Sequence, residues 1–583
     1  VVLRTGISEE KGISAEKGWW ADVVLYAIAF FVLFWALGGG GLWAAEGRWA
    51  EVTREMFLTR DFFHPSIGGE PYFDKPLLTY WLIAALSALS RVLNEWVVRL
   101  PSAMAGVLAI WATKNIGTRL WSGQVGRVAA WMLLSLYAFL FWARTGTAEA
   151  ENLAAIVLAV AWYWARRERP GFITFFVFYA IIFIGALTKG LTAVVIPVLV
   201  ILPDVLRDGR WRGFVRPSHF LAVILGGAMY LAPFYVASVT RPASYGETGL
   251  GLVFQENILR YFKAFDHKGP VYLYLYGVPL LLMPWTPLWI AATAGAIKIR
   301  KSLDDKTQWL LWAMALIFLF FTLSGSRRSY YILPIVPFCV LLTAVFAMDM
   351  RDQRLDGFRR WGVAIQDKLL LVLIAAELIS PLVMVILQHT KGLVFPPAMY
   401  VAGIVTGISA AILRQLIYRR GGAIGLKTVE TRTTASMISI AVVIFGGYFC
   451  WQKSILNAYR TERPFVEEVK ARIAETPAAG IGIFPKVDAT FLFYLDRKEP
   501  GKGLENAAAL REFLANEQSR VLVCRQRYVP GVLSAVSGDF PKEQDLREEV
   551  KPWDSKSDRK EKWGAWLLKR PADRKTLFLE GKE

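Results

Sequence analysis

The sequence predicts an all-α polytopic membrane protein of about 13 transmembrane helices, followed by a small C-terminal α/β extracytoplasmic domain. Three observations carry this. Of the 583 residues, 55% are hydrophobic and 23 are tryptophan, with a positive mean hydropathy. Apolar segments recur from Ala21 to Trp451. The net charge of +19 is carried in large part by short basic connectors between those segments, as expected for loops on the cytoplasmic side of many spans. In a soluble chain that charge would point to nucleic acid; here the membrane reading excludes it as a partner.

Residues 1–20 are mixed in charge and read as a cytoplasmic tail without fixed structure. Ala21–Leu42 follows as the first span. It is too long for a signal-peptide core and has no basic leader, so it is expected to be a retained anchor. Further spans are predicted near 101–118, 123–141, 152–165, 172–187, 190–206, 218–239, 271–297, 308–324, 330–348, 368–388, 397–416 and 433–451. The connectors alternate. One set carries Arg166, Arg167 and Arg169; Arg207 to Arg216; Lys298 to Lys301; Arg351 to Arg360; and Arg414 to Arg420. The other set is short or mixed in sign. The positive-inside rule places the basic set, and the N-terminus, in the cytoplasm. Leu77–Leu93 is short, is interrupted by serines and has Tyr80, Trp81 and Arg91 near its ends. It is expected to lie in the interface plane. The first outward loop is then 43–100, the membrane domain 21–454, and residues 455–583 lie outside the cytoplasm.

That last part is predicted to hold a helix at Pro464–Glu475, strands at Gly480–Phe484 and Val521–Cys524, a helix at Ala507–Asn516 and a final strand at Trp563–Lys569. The run Lys556 to Lys562 reads as a solvated loop. Three cysteines (Cys339, Cys450, Cys524) make no disulfide framework. The four histidines lie at no zinc-ligand spacing.

The outward segments gather the chemistry. Glu46, Asp74, Glu149, Glu151, Glu256 and Asp266 are acids, and Arg48, Lys75, Arg144, Lys189, Arg260, Lys263, Arg327 and Arg328 are bases, with His267 beside them. Both signs on one membrane face suit a cavity that handles a phosphate and a nucleophile. Guanidinium and ammonium groups neutralise phosphate oxygens, and a carboxylate that takes the proton of an attacking hydroxyl contributes about 10² to 10⁴ in rate. Lys189 is the sharpest signal: in Gly185-Ala-Leu-Thr188-Lys189-Gly190 it is squeezed between two apolar segments, where it must snorkel or meet an anion. Ser324-Gly-Ser-Arg327-Arg328-Ser-Tyr330-Tyr331 places two more cations on the same face. A lipid or glycan transporter is the competing class. Against it stand the lack of an internal repeat and the lack of an acid isolated within a span.

The ordered set Glu46-x-Arg48-Trp-Ala-Glu51 with Arg54-Glu55, Pro71-Tyr72-Phe-Asp74-Lys75-Pro76, Arg99-Leu-Pro101-Ser, Arg144-x-x-Thr147-x-Glu149, Leu187-Thr-Lys189-Gly190, Glu256-Asn257-x-x-Arg260-Tyr261 and Ser324 to Pro334 resembles one family. It is similar to the bacterial aminoarabinose transferases of lipid A and the related protein O-mannosyltransferase-like enzymes, which are GT-C glycosyltransferases. The resemblance implies transfer of a hexosyl or pentosyl group, with inversion, from a polyprenyl-phosphate donor. The acceptor would be lipid A, another glycan or a protein, at the periplasmic face of the bacterial inner membrane, with membrane lipids as the surrounding partner. By resemblance the catalytic acids are Glu46, Glu149 and Asp74. Arg48, Tyr72, Lys75, Arg144, Lys189, Glu256, Asn257, Arg260, His267, Arg327, Arg328 and Tyr330 would bind substrate.

The chain departs from the family at three places. An Asp-Glu pair, its Asp catalytic, reads Ala45-Glu46 here; Glu149 replaces an Asp; and Asp74-Lys75 stands for Glu-Lys. Either Glu46 takes the base role, or another acid such as Glu149 does, or the protein is an inactive relative that binds polyprenyl lipids. Glu256, Asn257 and His267 are open to the donor, the acceptor or a divalent metal ion.

Overall fold

The structure is a computed structural model, described for residues 6–43, 45–241, 260–262, 268–350, 352–391, 395–423, 428–452, 462–474, 480–498, 501–515, 520–536, 540–550 and 554–568. Its helical part consists of α1 (Gly6–Phe34), α2 (Glu46–Thr59), α3 (Leu78–Ser90), α4 (Glu95–Leu120), α5 (Gly123–Leu134), α6 (Tyr137–Ala143), α7 (Glu149–Arg166), α8 (Phe172–Lys189), α9 (Thr192–Leu206) and α10 (Pro217–Thr240). Then follow α11 (Leu273–Leu281), α12 (Thr286–Lys298), α13 (Asp305–Leu323), α14 (Val336–Met348), α15 (Asp356–Lys391), α16 (Pro397–Ala423) and α17 (Thr428–Gly446).

Helix is found at every predicted span position. Among the described residues, six helices are long and apolar enough to cross a membrane alone, or eight if the bent pairs α5–α6 and α11–α12 each count as one span. The bends are 72° and 118°; Pro284, which has no N–H to continue a helical ladder, lies in the sharper one. The remaining predicted spans fall on shorter apolar stretches or, for α7, on a helix with charged ends. At 13 residues α3 is about 20 Å long, short of a hydrocarbon core of about 30 Å.

The N-terminal expectation is corrected. Residues from Gly6 are helical and continuous with the first span, because Glu, Lys, Ala and Ile between Ser8 and Lys17 favour helix over the single Gly12. The span ends at Phe34 rather than Leu42, where the chain enters turns and the glycine run 38–41.

The two ends of the helical bundle differ in kind. At one, the basic connectors meet: Arg167 pairs with Asp204 at 2.6 Å, Arg210 with Glu168 at 3.0 Å, and Arg354 donates to Ser302 at 2.6 Å. At the other, the segment 43–100 meets the C-terminal unit. Arg463 pairs with Glu95 at 2.8 Å, the Tyr494 hydroxyl donates to Glu95 at 3.1 Å, and the Leu42 amide donates to Tyr494 at 2.6 Å. The loop and the C-terminal unit therefore share a face.

That unit adds α18 (Glu462–Arg472), α19 (Ala489–Leu495), α20 (Ala507–Ala515), α21 (Val529–Ala535) and α22 (Lys556–Glu561). After the small hairpin β1 (Ser66–Ile67) and β2 (Glu70–Pro71), its strands are β3 (Ile481–Phe484), β4 (Lys502–Gly503), β5 (Arg520–Arg525), β6 (Leu546–Arg547) and β7 (Trp563–Leu568), in the sheet order β4-β3-β5-β7-β6. β3 runs parallel to β4 and β5, while β7 is antiparallel to β5 and β6. Val521 and Val523 enter one apolar cluster and Leu522 and Cys524 another, so β5 is covered on both faces and reads as an unbroken apolar run. The run expected as a loop at Lys556–Lys562 instead forms α22, started by a reciprocal Ser555–Asp558 capping box. The short α19 and α21 were not anticipated.

Contrary to the sequence expectation, an acid does lie within a predicted span. Glu377 is buried in the middle of α15, where it accepts from the Thr406 hydroxyl of α16 at 3.3 Å. That bond ties two helices together, a common use of a polar side chain within a membrane.

Candidate active site

Two antiparallel helices make the floor of the site. α7 and α8 approach so closely that a Cβ on Gly185 would fall 2.4 Å from the Ala155 Cβ, the small-residue contact typical of membrane helices. This brings the start of α7 against the end of α8. Gly190 then turns the chain with φ +124°, a conformation that glycine alone adopts without strain, so α9 begins two residues later. Lys189 is left at the rim. Its ammonium pairs with Glu149 at 2.9 Å and lies over the rings of Tyr330 and Tyr331, 5.5 and 5.2 Å from their centroids. Arg328 donates to the Tyr330 hydroxyl at 2.9 Å, and Trp142 packs on the Tyr330 ring at 4.5 Å.

A second group comes from the first outward loop. Arg48, on α2, donates to the Tyr72 hydroxyl at 2.8 Å. Burial pushes the Tyr72 phenol up to about 12, with Asp74 adding to this and Arg48 opposing it. Asp74 is exposed, and Lys75 reaches back to its carbonyl at 3.1 Å. Between these residues Phe73 packs with Leu187 and Ala186 near the end of α8, so the 72–75 segment lies beside the turn that carries Lys189.

α2 and its hairpin hold this segment in place, and here several charges of the 43–81 stretch prove to be structural. Glu51 and Arg54 form a bidentate pair at 2.8 and 2.8 Å, and Arg54 also donates to the Arg497 carbonyl at 2.9 Å. Glu55 accepts from the Ser66 hydroxyl and from the Gly68 and Gly69 amides. It closes the β1–β2 hairpin, which feeds directly into Tyr72.

Three expected site residues have structural partners instead of open faces, Glu46 and Arg144 fully and Arg327 in part. Glu46 is fully buried. Its Oε1 accepts from Arg99 Nε at 2.8 Å and the Gly146 amide at 2.7 Å; its Oε2 accepts from Arg99 Nη2 at 2.9 Å and the Trp43 amide at 2.9 Å. All four acceptor positions of the carboxylate are used, which leaves none to take a nucleophile's proton. Arg99 spends its remaining donors on the carbonyls of Leu37, Gly40 and Gly41. Arg144, expected on phosphate, is buried and donates to the carbonyls of Val32, Leu33 and Trp35 at 2.6 to 2.8 Å. It satisfies the open carbonyl end of α1. Arg327 likewise donates to the carbonyls of Thr322 and Gly269 at 3.1 and 2.9 Å.

The structure thus gathers Arg48, Tyr72, Asp74, Lys75, Glu149, Lys189, Arg328 and Tyr330 around one end of the bundle. Glu256, Asn257, Asp266, Lys263 and His267 lie outside the described residues, as does the side chain of Arg260. Glu151 is buried behind Glu149, with the Ser102 hydroxyl 3.2 and 3.3 Å from its oxygens. Among the described residues, no three His, Cys, Asp or Glu side chains gather as metal ligands. Sequence reasoning missed the roles of Tyr331 and Trp142 against the Lys189–Tyr330 pair. The tandem Tyr330-Tyr331 after two arginines was the available signal for the first, and nothing in the sequence marked Trp142.

The sequence model of a family described as dolichyl-phosphate-mannose-protein mannosyltransferase matches residues 74–236. The chain is 27% identical over 354 residues to an undecaprenyl phosphate-alpha-4-amino-4-deoxy-L-arabinose arabinosyl transferase of Pseudomonas aeruginosa, covering 58% of this chain and 61% of that protein. The alignment thus spans less than two thirds of that relative's length. A protein of the same name from Aeromonas salmonicida is 29% identical over 458 residues, covering 75% of this chain and 78% of that one. In structure, the chain superposes on ArnT from Cupriavidus metallidurans bound to undecaprenyl phosphate with a TM-score of 0.70 at 19% identity, covering 93% of this chain and 97% of that chain. The fold is therefore that of ArnT, a multi-pass helical membrane core with a small C-terminal sheet region.

Proposed function

We propose that this protein is a membrane glycosyltransferase that moves a sugar from a polyprenyl-phosphate donor to lipid A, another glycan or a protein. The work is done at the periplasmic face of the bacterial inner membrane. One observation carries the reading: Lys189 is held by Glu149 over two tyrosine rings at the end of a membrane helix, with Arg328 on the hydroxyl of one of those tyrosines and the segment Tyr72 to Lys75 packed through Phe73 against the same helix end. An ammonium placed there, at the edge of the apolar layer, suits the phosphate of a lipid whose chain stays in the bilayer. The sequence relatives are named for such a donor.

The chemistry follows from these groups. The acceptor oxygen attacks the anomeric carbon on the side opposite the phosphate and inverts it. The bond from that carbon to the phosphate oxygen breaks, and the polyprenyl phosphate leaves with the electron pair. Lys189, Lys75, Arg48 and Arg328 stabilise the charge that develops on it. Glu149 orients Lys189. Asp74, exposed beside the Tyr72 hydroxyl, takes the proton of a hydroxyl acceptor; an ionised phosphate acceptor needs no base. The basic connectors and N-terminus lie in the cytoplasm by the positive-inside rule. The membrane domain spans 21–454, and the unit 455–583 sits in the periplasm over the outward loop 43–100.

The test is transfer of label from radiolabelled polyprenyl-phosphate sugars to membrane lipids by the purified protein. Lys189→Ala should lower turnover by about 10² or more, the effect typical of removing one group that stabilises transition-state charge, while the protein stays inserted. Asp74→Asn should do the same for hydroxyl acceptors only. Donor binding without any transfer by the unaltered protein would mean an inactive, lipid-binding relative. Near-parent turnover of Lys189→Ala would reduce that lysine to an interface anchor.

A further inference from the structure

At the opposite end of α7 and α8 from Lys189 is a cavity of about 270 Å³. Each helix has 18 residues, which separates the cavity from the candidate active site by about 25 Å. Its walls include Arg167, Arg210 and Arg216 with the aromatic rings of Trp162, Phe175 and Phe214. The charges do not cancel. Asp204 takes Arg167 at 2.6 Å and Glu168 takes Arg210 at 3.0 Å. The Nε of Arg210 is buried, 4.0 Å from Asp204, and has no hydrogen-bond partner. Arg216 donates to the Pro170 carbonyl at 3.2 Å, and among the described residues no carboxylate lies within ion-pair distance of it. α10 starts at the next residue, Pro217, so the partial positive charge of a 24-residue helix adds to that of Arg216.

We propose that this cavity binds a phosphate group on the basic side of the protein. The guanidinium of Arg216 is a donor suited to phosphate oxygens, and the aromatic rings supply a wall that limits competition from water. The group has two sources of identical chemistry: the headgroup of an anionic membrane lipid, or a soluble phosphate. The apolar residues Phe172, Ile173, Phe220 and Ile224, exposed on the starting turns of α8 and α10, offer acyl chains a surface close to the cavity.

Native mass spectrometry of the whole protein in a delipidating detergent tests this, with phosphatidylglycerol and phosphatidylcholine as probes and thermal shift with inorganic phosphate as the second arm. Phosphatidylglycerol should be retained about fivefold over phosphatidylcholine, and Arg216→Gln should remove that preference, as expected for one arginine acting on an anionic headgroup. Arg216→Lys keeps the charge and should retain most of it, which separates lost charge from lost folding. If inorganic phosphate raises the melting temperature of the parent but not of Arg216→Gln, and no lipid preference exists, the site takes the soluble anion. Equal retention of both lipids together with no phosphate shift overturns the proposal. So does a lipid preference and phosphate shift that Arg216→Gln leaves unchanged.

Discussion

Replacing Glu46 by Gln separates the structural role of this carboxylate from a chemical one. The Glu46 side chain is fully buried and Arg99 is 2% exposed, so neither charge has water to fall back on. Two unit charges about 4 Å apart at an effective dielectric near 20 attract by about 4 kcal/mol, and breaking a buried pair by removing one partner costs about 3–5 kcal/mol in measured cases. Geometry adds to this. Each oxygen of Glu46 faces two N–H donors, so either orientation of the Gln amide turns its NH₂ toward two of them. Glu46→Gln should therefore destabilise the protein by about 3–5 kcal/mol and open the 35–43 turn that Arg99 ties down. Arg99→Gln should cost a similar amount, and the double variant clearly less than the sum, since the two charges are coupled. Thermal unfolding in one fixed detergent, with limited proteolysis across residues 35–43, reads the effect. If Glu46→Gln melts like the parent yet loses turnover by 100-fold or more, the clamp is the wrong account and Glu46 takes part in the chemistry.

Arg144→Gln should lower stability by about 2–3 kcal/mol, because it frees buried carbonyls at the end of α1, with the KM for the donor unchanged; a parent-like melting temperature with a raised KM would return Arg144 to the phosphate. Cysteines placed at Glu70 and Lys560 should react with an impermeant reagent from outside the cell and one at Arg212 should not; outside labelling of Arg212→Cys would overturn the orientation. In the C-terminal unit, Arg525 is shared by Asp488 at 2.9 Å and Glu462 at 3.2 Å, and burial with the nearby Asp488 raises the Glu462 carboxyl to about 7. A carboxyl raised on folding contributes stability below its unfolded value that is lost as pH rises through the folded one. The melting temperature of Glu462→Gln relative to the parent should accordingly rise between pH 5 and pH 8; a constant difference would refute the assignment.

The helices at the predicted span positions, the alternation of basic and mixed connectors, and the strands β3, β5 and β7 were legible in the sequence because each depends on local composition. An apolar run long enough for a bilayer, or an apolar run covered on both faces, carries its own signature. The position of Lys189 at a tight turn between two helices was legible for the same reason, since a lysine and a glycine between two apolar segments leave few places for the charge to go. The tertiary structure alone decided which charges are available for chemistry. Glu46 and Arg99 are 53 residues apart, and Arg144 reaches carbonyls 109 to 112 residues away. Whether a charge is consumed by a partner depends on how helices pack, and hydrophobic periodicity does not encode that distance. In the stretch 43–81, Glu46, Glu51, Arg54 and Glu55 read as site residues as readily as Arg48, Asp74 and Lys75 do. Packing turns the first four inward to close the turn, the helix and the hairpin, and leaves the other three beside the end of α8 where Lys189 lies.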